Sequence, residues 1–161
     1  MKKLSTFLLL FISIIFFIGC EKENDNGLAK MHWDRDMCER CVMVVSEKSY
    51  AVQIQNPTTK QIHKFDDIGC AILWFEETNK NWFDQADIWV KDEKSHEWID
   101  AKSAMWTFGN ITPMNYGVAA YTKETFPKEK NNLSFKEAIE LIHKQDKEDK
   151  LRRKHKLHNK G

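Results

Sequence analysis

The sequence lacks an excess of charge of either sign. Its 25 Lys and Arg residues and 24 Asp and Glu residues give a net charge of +1. Removal of residues 1–19, whose only charges are Lys2 and Lys3, leaves 23 against 24 and a net charge of −1. Proteins that bind nucleic acid present a strongly basic surface, so this balance argues against a nucleic-acid partner.

The sequence also lacks an apolar run of membrane-spanning length. Residues 7–18 are apolar apart from Ser13, whereas a transmembrane helix needs about 20 apolar residues. The run follows Lys2 and Lys3, an arrangement typical of a signal peptide. It ends in Phe17-Ile18-Gly19-Cys20, which resembles the lipobox of bacterial lipoproteins, in which the cysteine is acylated and becomes the new N-terminus.

These features predict an exported lipoprotein that is anchored to a membrane through Cys20 and faces the periplasm or the cell exterior. Residues 1–19 form the predicted signal peptide, and the polar residues 20–30 form a tether between lipid and domain. An ordinary cleaved signal and an uncleaved anchor are the alternatives. About 140 residues remain, which suits one compact domain.

The predicted mature chain also lacks an even number of cysteines. Without Cys20 the mature chain contains Cys38, Cys41 and Cys70. Structural cysteines in an oxidising compartment pair as disulfides, so an odd number indicates a reactive or metal-bound thiol.

Hydrophobic periodicity predicts an α+β domain over residues 31–143. A helix capped by Asp66 or Asp67 runs to Glu77, and the capping box Ser134-x-x-Glu137 begins a second helix. Strands are predicted where apolar residues run together or alternate, over residues 42–45, 50–55, 61–65, 88–90, 97–100, 104–108 and 117–121. This order indicates two similar halves. From Lys144 onward the apolar face is lost, so residues 144–161 are predicted to be a frayed helix or a flexible basic tail.

The segment from Asp36 to Met43 contains two thiols and two thioethers. These soft donors favour Cu(I), whereas carboxylate-rich clusters favour Ca²⁺ or Mg²⁺. Two cysteines separated by two residues can turn both sulfurs toward one ion. Met43 joins Cys38 and Cys41 if the chain has entered a strand, because alternate residues then share a side. A methionine among valines is also typical of a core.

Two further residues are candidate ligands. Cys70 is predicted to lie in the first turn of a helix, which favours the thiolate, and it is a fourth ligand, a disulfide partner or a buried small residue. His32 lies just upstream of the cysteines and is either a nitrogen ligand or a solvated side chain.

The chain resembles the NosL family in three segments: residues 31–45, the Tyr50-Ala51-Val52-Gln53 strand and residues 65–70. The resemblance continues through Trp89-Val90, residues 98–101 and residues 113–121. NosL proteins are lipoproteins that bind Cu(I) and are associated with the maturation of nitrous-oxide reductase. The family's copper motif falls here on Cys38, Cys41 and Met43.

The resemblance implies a fold of two small ββαβ-type halves, like those of organomercurial lyase, and a metallochaperone rather than an enzyme. It also implies two partners: a copper protein such as apo nitrous-oxide reductase, and a membrane ABC transporter complex. Family members often have Gly between the last Cys and Met, where this chain has Val42. The first motif sulfur is Met in some members and Cys38 here.

Other classes of function remain open at this stage. A structural zinc module would use Cys38, Cys41, Cys70 and a histidine such as His32 or His63. A thiol-disulfide oxidoreductase would use Cys38 and Cys41, although such motifs usually open a helix, and Val42–Val45 is predicted to be a strand. An organomercurial-lyase-like enzyme rests on fold analogy, with Cys70 near Asp66 and Asp67.

Overall fold

A computed structural model describes residues 27–158. The predicted signal peptide, Cys20 and most of the tether lie outside this range. The described part contains strands, two helices and a short 3-10 helix, Phe83–Gln85. The strands are β1 (Val52–Gln55), β2 (Ile62–Phe65), β3 (Asp87–Lys91), β4 (Trp98–Asp100), β5 (Met105–Phe108) and β6 (Val118–Tyr121), and the helices are α1 (Ile68–Glu77) and α2 (Phe135–His158).

The larger sheet is antiparallel, with the strand order β2-β1-β3-β4. Its central strand β1 is buried on both faces, although its alternating sequence predicts one exposed face. The reason is that residues 27–29 cover that face: Gln53 exchanges two hydrogen bonds of 2.9 Å with the backbone of Ala29. The amide side chain is thereby satisfied without water.

Helix α1 follows β2 directly and is buried from Ile68 to Phe75. Asp67 is its N-cap: Oδ1 accepts a hydrogen bond from the backbone N–H of Gly69 at 2.9 Å. Its second oxygen, Oδ2, accepts from the Thr112 hydroxyl at 2.6 Å and from the backbone N–H of Met114 at 3.2 Å. The predicted helix and cap are therefore confirmed, and the cap also connects α1 to the loop between β5 and β6.

The first turn of α1 also requires glycine at position 69. A Cβ atom built on Gly69 would lie 2.1 Å from the ring of Tyr116, which is itself buried. The aromatic ring therefore packs directly on the helix backbone beside Cys70.

Strands β5 and β6 form a separate antiparallel pair, and α2 packs on both and on α1. Ser134 and Glu137 form the predicted capping box, with Glu137 Oε2 accepting from the Ser134 backbone at 2.7 Å. The α+β class is confirmed. The first sheet follows the ββαβ order with β4 added, whereas the second unit is a β-pair followed by α2, with no strand after α2 in residues 27–158.

Helix α2 is longer than its apolar face. Its buried residues end with Ile142 and Asp146, yet the helix continues through the basic segment to His158. Neither helix within residues 27–158 is long and apolar enough to cross a membrane.

Removal of the two helix caps should lower the free energy of unfolding by different amounts. We expect Asp67→Ala to lower the free energy of unfolding by about 3 kcal/mol, because it leaves buried donors unpaired. Ser134→Ala removes an exposed cap and should cost about 1 kcal/mol. Urea unfolding of both variants measures the difference. Equal losses would show that the buried network at Asp67 adds nothing to an ordinary cap.

Candidate metal centre

The Cys38–Cys41 motif lies in the turn of a tight hairpin. Met37 and Val44 form an antiparallel bridge, and the Cys38 N–H donates to the Met43 carbonyl at 2.8 Å. The Val42 N–H donates back to the Cys38 carbonyl at 3.0 Å. The buried strand predicted over residues 42–45 is wrong: the run forms only the isolated bridge at Val44. Val42 is 68% exposed, and only Val45 of the run is buried.

The turn is closed by a strained residue. Val42 has φ = 59°, in the left-handed region that a β-branched side chain rarely occupies. This conformation costs about 1–2 kcal/mol for an L-residue. It is the position at which members of the resembled family often have glycine, for which this cost vanishes. Strain of this kind is concentrated at functional sites, where the surrounding structure holds it in place.

The first spacer residue of the motif, Glu39, fastens the turn to β2. Its backbone N–H donates to the Lys64 carbonyl at 3.0 Å. Its carboxylate lies 2.8 Å from Nδ1 of His63, whose buried ring packs at 4.6 Å from the ring of Trp74. Nδ1 of His63 is thus occupied by the contact with Glu39.

The second spacer residue, Arg40, fastens the turn to α1. Its guanidinium donates two hydrogen bonds to Glu77, at 2.7 and 2.9 Å, and a third to the Tyr116 hydroxyl at 2.9 Å. Hydrogen bonding to Glu77 raises the pKa of Arg40 and lowers the pKa of Glu77. A bidentate pair fixes orientation as well as distance, so the turn is held from two sides.

Held in this way, the turn brings its two thiols to the junction between β2 and α1. Cys38, Cys41, Cys70 and Asp66 place one ligand atom each within 4.8 Å of one another. Cys38, Cys70 and Asp66 are buried, and Cys41 is partly exposed. Cys70 lies in the first turn of α1, as predicted, and the three thiols are free rather than paired as disulfides.

Asp66 is the member of the cluster that the sequence analysis did not name as a metal ligand. Its Oδ2 accepts a hydrogen bond from the Cys41 thiol at 3.4 Å. Its Oδ1 is buried and has no hydrogen-bond partner among the described residues. An unpaired buried polar atom costs about 1–3 kcal/mol, a cost that a bound cation removes. The sequence did carry one signal, since Asp66 and Cys70 are spaced to lie on one side of a helix start.

The three thiols differ in acidity. Hydrogen bonding from Cys70 lowers the pKa of Cys38 to about 7. Burial raises the pKa of Cys41 to about 12, and sharing a hydrogen bond with Cys38 raises the pKa of Cys70 strongly. Near neutral pH Cys38 is therefore about half thiolate, whereas Cys41 and Cys70 are protonated. Binding of a metal ion by all three would release protons.

Met43 and His32 are the other predicted ligands. Met43 contributes its backbone carbonyl to the turn, and the residue is 51% exposed. His32 packs on Asp36, with Nδ1 at 3.6 Å from Oδ1. Among the described His, Cys, Asp and Glu residues, only the three cysteines and Asp66 gather in this way. The chain thus has a sulfur-rich cluster able to hold a metal ion.

Comparison of the chain with known proteins yields no match, either among protein-family models or among curated proteins.

The acidity of Cys38 can be measured in the reduced, metal-free protein. We expect its thiolate ultraviolet absorbance to appear with a midpoint near pH 7. Cys38→Ser should abolish this transition, and Cys41→Ser should preserve it. Cys70→Ala removes the hydrogen bond and should move the midpoint upward, toward an ordinary thiol. A wild-type midpoint in the ordinary range would contradict the assignment.

Proposed function

We propose that this protein binds Cu(I) at the cluster and carries it to an exported copper protein. The supporting observation is that three sulfurs converge on one point while one side of the point stays open. Thiolates and thioethers are soft ligands, which favour Cu(I) over hard ions such as Ca²⁺ and Mg²⁺. The sulfurs of Cys38, Cys41 and Cys70 suffice for the low coordination numbers that Cu(I) accepts.

In this proposal the ligands have different roles in holding and releasing the ion, according to how deeply each is buried. Cys38 and Cys70 are almost fully buried and form the floor of the centre. Cys41 is partly exposed and Met43 is half exposed, so the proposal assigns these two to the solvent-facing side, or mouth, of the centre. In the proposed transfer, a ligand of the acceptor binds the ion at the mouth before the floor ligands leave. Stepwise exchange of this kind never releases a free ion.

Asp66 has a different role in this proposal. A carboxylate oxygen is a poor ligand for a soft ion, and thiolates already balance the single charge of Cu(I). Asp66 instead accepts the hydrogen bond from Cys41 and holds that thiol in position. Asp66 is therefore a positioning residue for Cu(I).

The resemblance to NosL supports the proposed setting. It implies that the receiving protein is nitrous-oxide reductase or a related exported copper protein, and that a membrane ABC transporter complex is a neighbour. Acylation of Cys20 would keep the carrier at the membrane where such an acceptor is assembled. The function proposed is carriage of an ion, without catalysis.

One observation favours a second candidate, a structural zinc site. Three thiolates and one carboxylate make a complete tetrahedral set for Zn²⁺. In this version Asp66 takes the place that the sequence assigned to a histidine, since His63 is held by Glu39 and His32 by Asp36. The oxidoreductase alternative loses support, because the two cysteines lie in a hairpin turn and not at the start of a helix.

Replacement of Asp66 and Cys70 distinguishes a copper carrier from a zinc site. For Cu(I), we expect Cys70→Ser to weaken binding more than Asp66→Asn does, because sulfur carries the affinity. For Zn²⁺, Asp66→Asn should itself cost about ten- to a hundredfold. Anaerobic titration against a chromophoric chelator measures both ions. Wild-type protein that holds Zn²⁺ against excess Cu(I) would contradict the proposal.

Met43 tests the sulfur assignment at the mouth. Met43→Ala should weaken Cu(I) binding and leave Zn²⁺ binding nearly unchanged, because a thioether contributes little to a borderline ion. Met37→Ala is the matched control, since Met37 is 45% exposed on the same hairpin and is not a predicted ligand. If both variants bind Cu(I) like the wild type, Met43 is not a ligand.

A further inference from the structure

A cleft of about 490 Å³ lies beside the metal centre. One wall is the far half of α2, and the other belongs to the body of the domain and includes Arg40 of the cysteine turn. The cleft is lined by Arg40, Met114, Tyr116, Asp146, Asp149, Lys150, Arg152, Arg153 and Lys156.

The helical wall is a continuation of a packed element. Ala138 and Ile142 are fully buried against the body, and Asp146 is 7% exposed. Beyond Asp146 the same helix face continues with residues spaced three and four apart, among them Lys150, Arg153 and Lys156. Residues at this spacing share a face, so the basic segment turns one charged stripe into the cleft.

Pairing within the lining leaves a surplus of positive charge. Three cations have partners: Arg40 pairs with Glu77, Lys150 with Asp146 at 2.6 Å, and Arg152 with Asp149. Arg153 and Lys156 have no carboxylate in ion-pair range within residues 27–158; Arg153 donates only to the backbone carbonyl of Asp149. Two cations at the outer end of the cleft therefore face it uncompensated.

We propose that this cleft binds an acidic peptide segment of a partner protein. From Asp146 to Lys156 the helical wall is about 15 Å long, enough for four or five extended residues. That length exceeds what a single small anion occupies. A membrane surface, the alternative source of negative charge, is broad and needs a protruding basic face, whereas these cations line a concavity. The aromatic and thioether floor from Tyr116 and Met114 suits peptide backbone and side-chain stems.

The place of the cleft gives this contact a consequence. Arg40 belongs to both structures, as a lining residue of the cleft and as the spacer next to Cys41. An acidic segment in the cleft would therefore hold its parent protein beside the mouth of the metal centre. Peptide binding requires no metal ion, so it stands or falls separately from the proposed copper function.

The test uses the full-length, metal-free chain and a fluorescein-labelled glutamate-rich peptide, with binding followed by fluorescence anisotropy. The double variant Arg153→Glu/Lys156→Glu should bind the peptide about tenfold or more weakly. The matched control is Lys147→Glu/Lys154→Glu, which changes the net charge equally on the same exposed helix but at residues outside the cleft. It should retain affinity within about twofold.

Three results would overturn the proposal: no peptide binding by the wild type, equal loss in the two variants, or wild-type binding to phosphatidylglycerol vesicles without binding to the peptide. Inorganic phosphate should displace the peptide only weakly, and displacement at matched concentration would reassign the cleft to small anions. Circular dichroism checks that α2 persists. If it does not, Arg153→Gln/Lys156→Gln should still weaken peptide binding relative to the same glutamine changes at Lys147 and Lys154.

Discussion

The gathering of the three thiols depends on the fastening of a short turn to the junction between β2 and α1. Left alone, a turn that contains two cysteines and a left-handed valine would sample many conformations. Here Glu39 is bound to β2 and Arg40 to the far end of α1. The junction opposite is equally fixed, because Asp67 caps α1 and holds the loop at Thr112. The cysteine turn and the β2–α1 junction are thus each held in place, and the sulfurs lie between them.

Local signals in the sequence predicted much of the fold. Both helices, the Asp67 cap and the Ser134 capping box are present where the pattern placed them, because each depends on residues only a few positions apart. The strand predicted at Val42–Val45 failed for a local reason of another kind. A run of apolar residues in an exposed turn cannot be distinguished from a buried strand by its sequence alone. The left-handed backbone of Val42, which shows that the run is a turn, is visible only in the structure.

The metal centre was predictable in part. The short spacing of Cys38 and Cys41 marked one half of it. The other half, Asp66 and Cys70, is brought in because the turn packs against the start of α1. This contact joins residues about thirty positions apart, and hydrophobic periodicity carries no information about it. Asp66 remained hidden for the same reason: beside Asp67, it looked like a second candidate for the helix cap. Its buried, unpaired oxygen is visible only once the thiols surround it.

The two spacer residues of the cysteine motif are not interchangeable. Glu39 faces a histidine and Arg40 faces a glutamate. Exchanging the two would set two carboxylates against each other at Glu77 and remove the carboxylate that His63 contacts. His63 and Glu77 lie seven residues before and seven after Cys70. The signature of this centre is therefore wider than two cysteines at fixed spacing. It is an acidic and then a basic residue between the cysteines, matched by a distant histidine, cysteine and glutamate at intervals of seven, and that longer pattern can be sought in other chains.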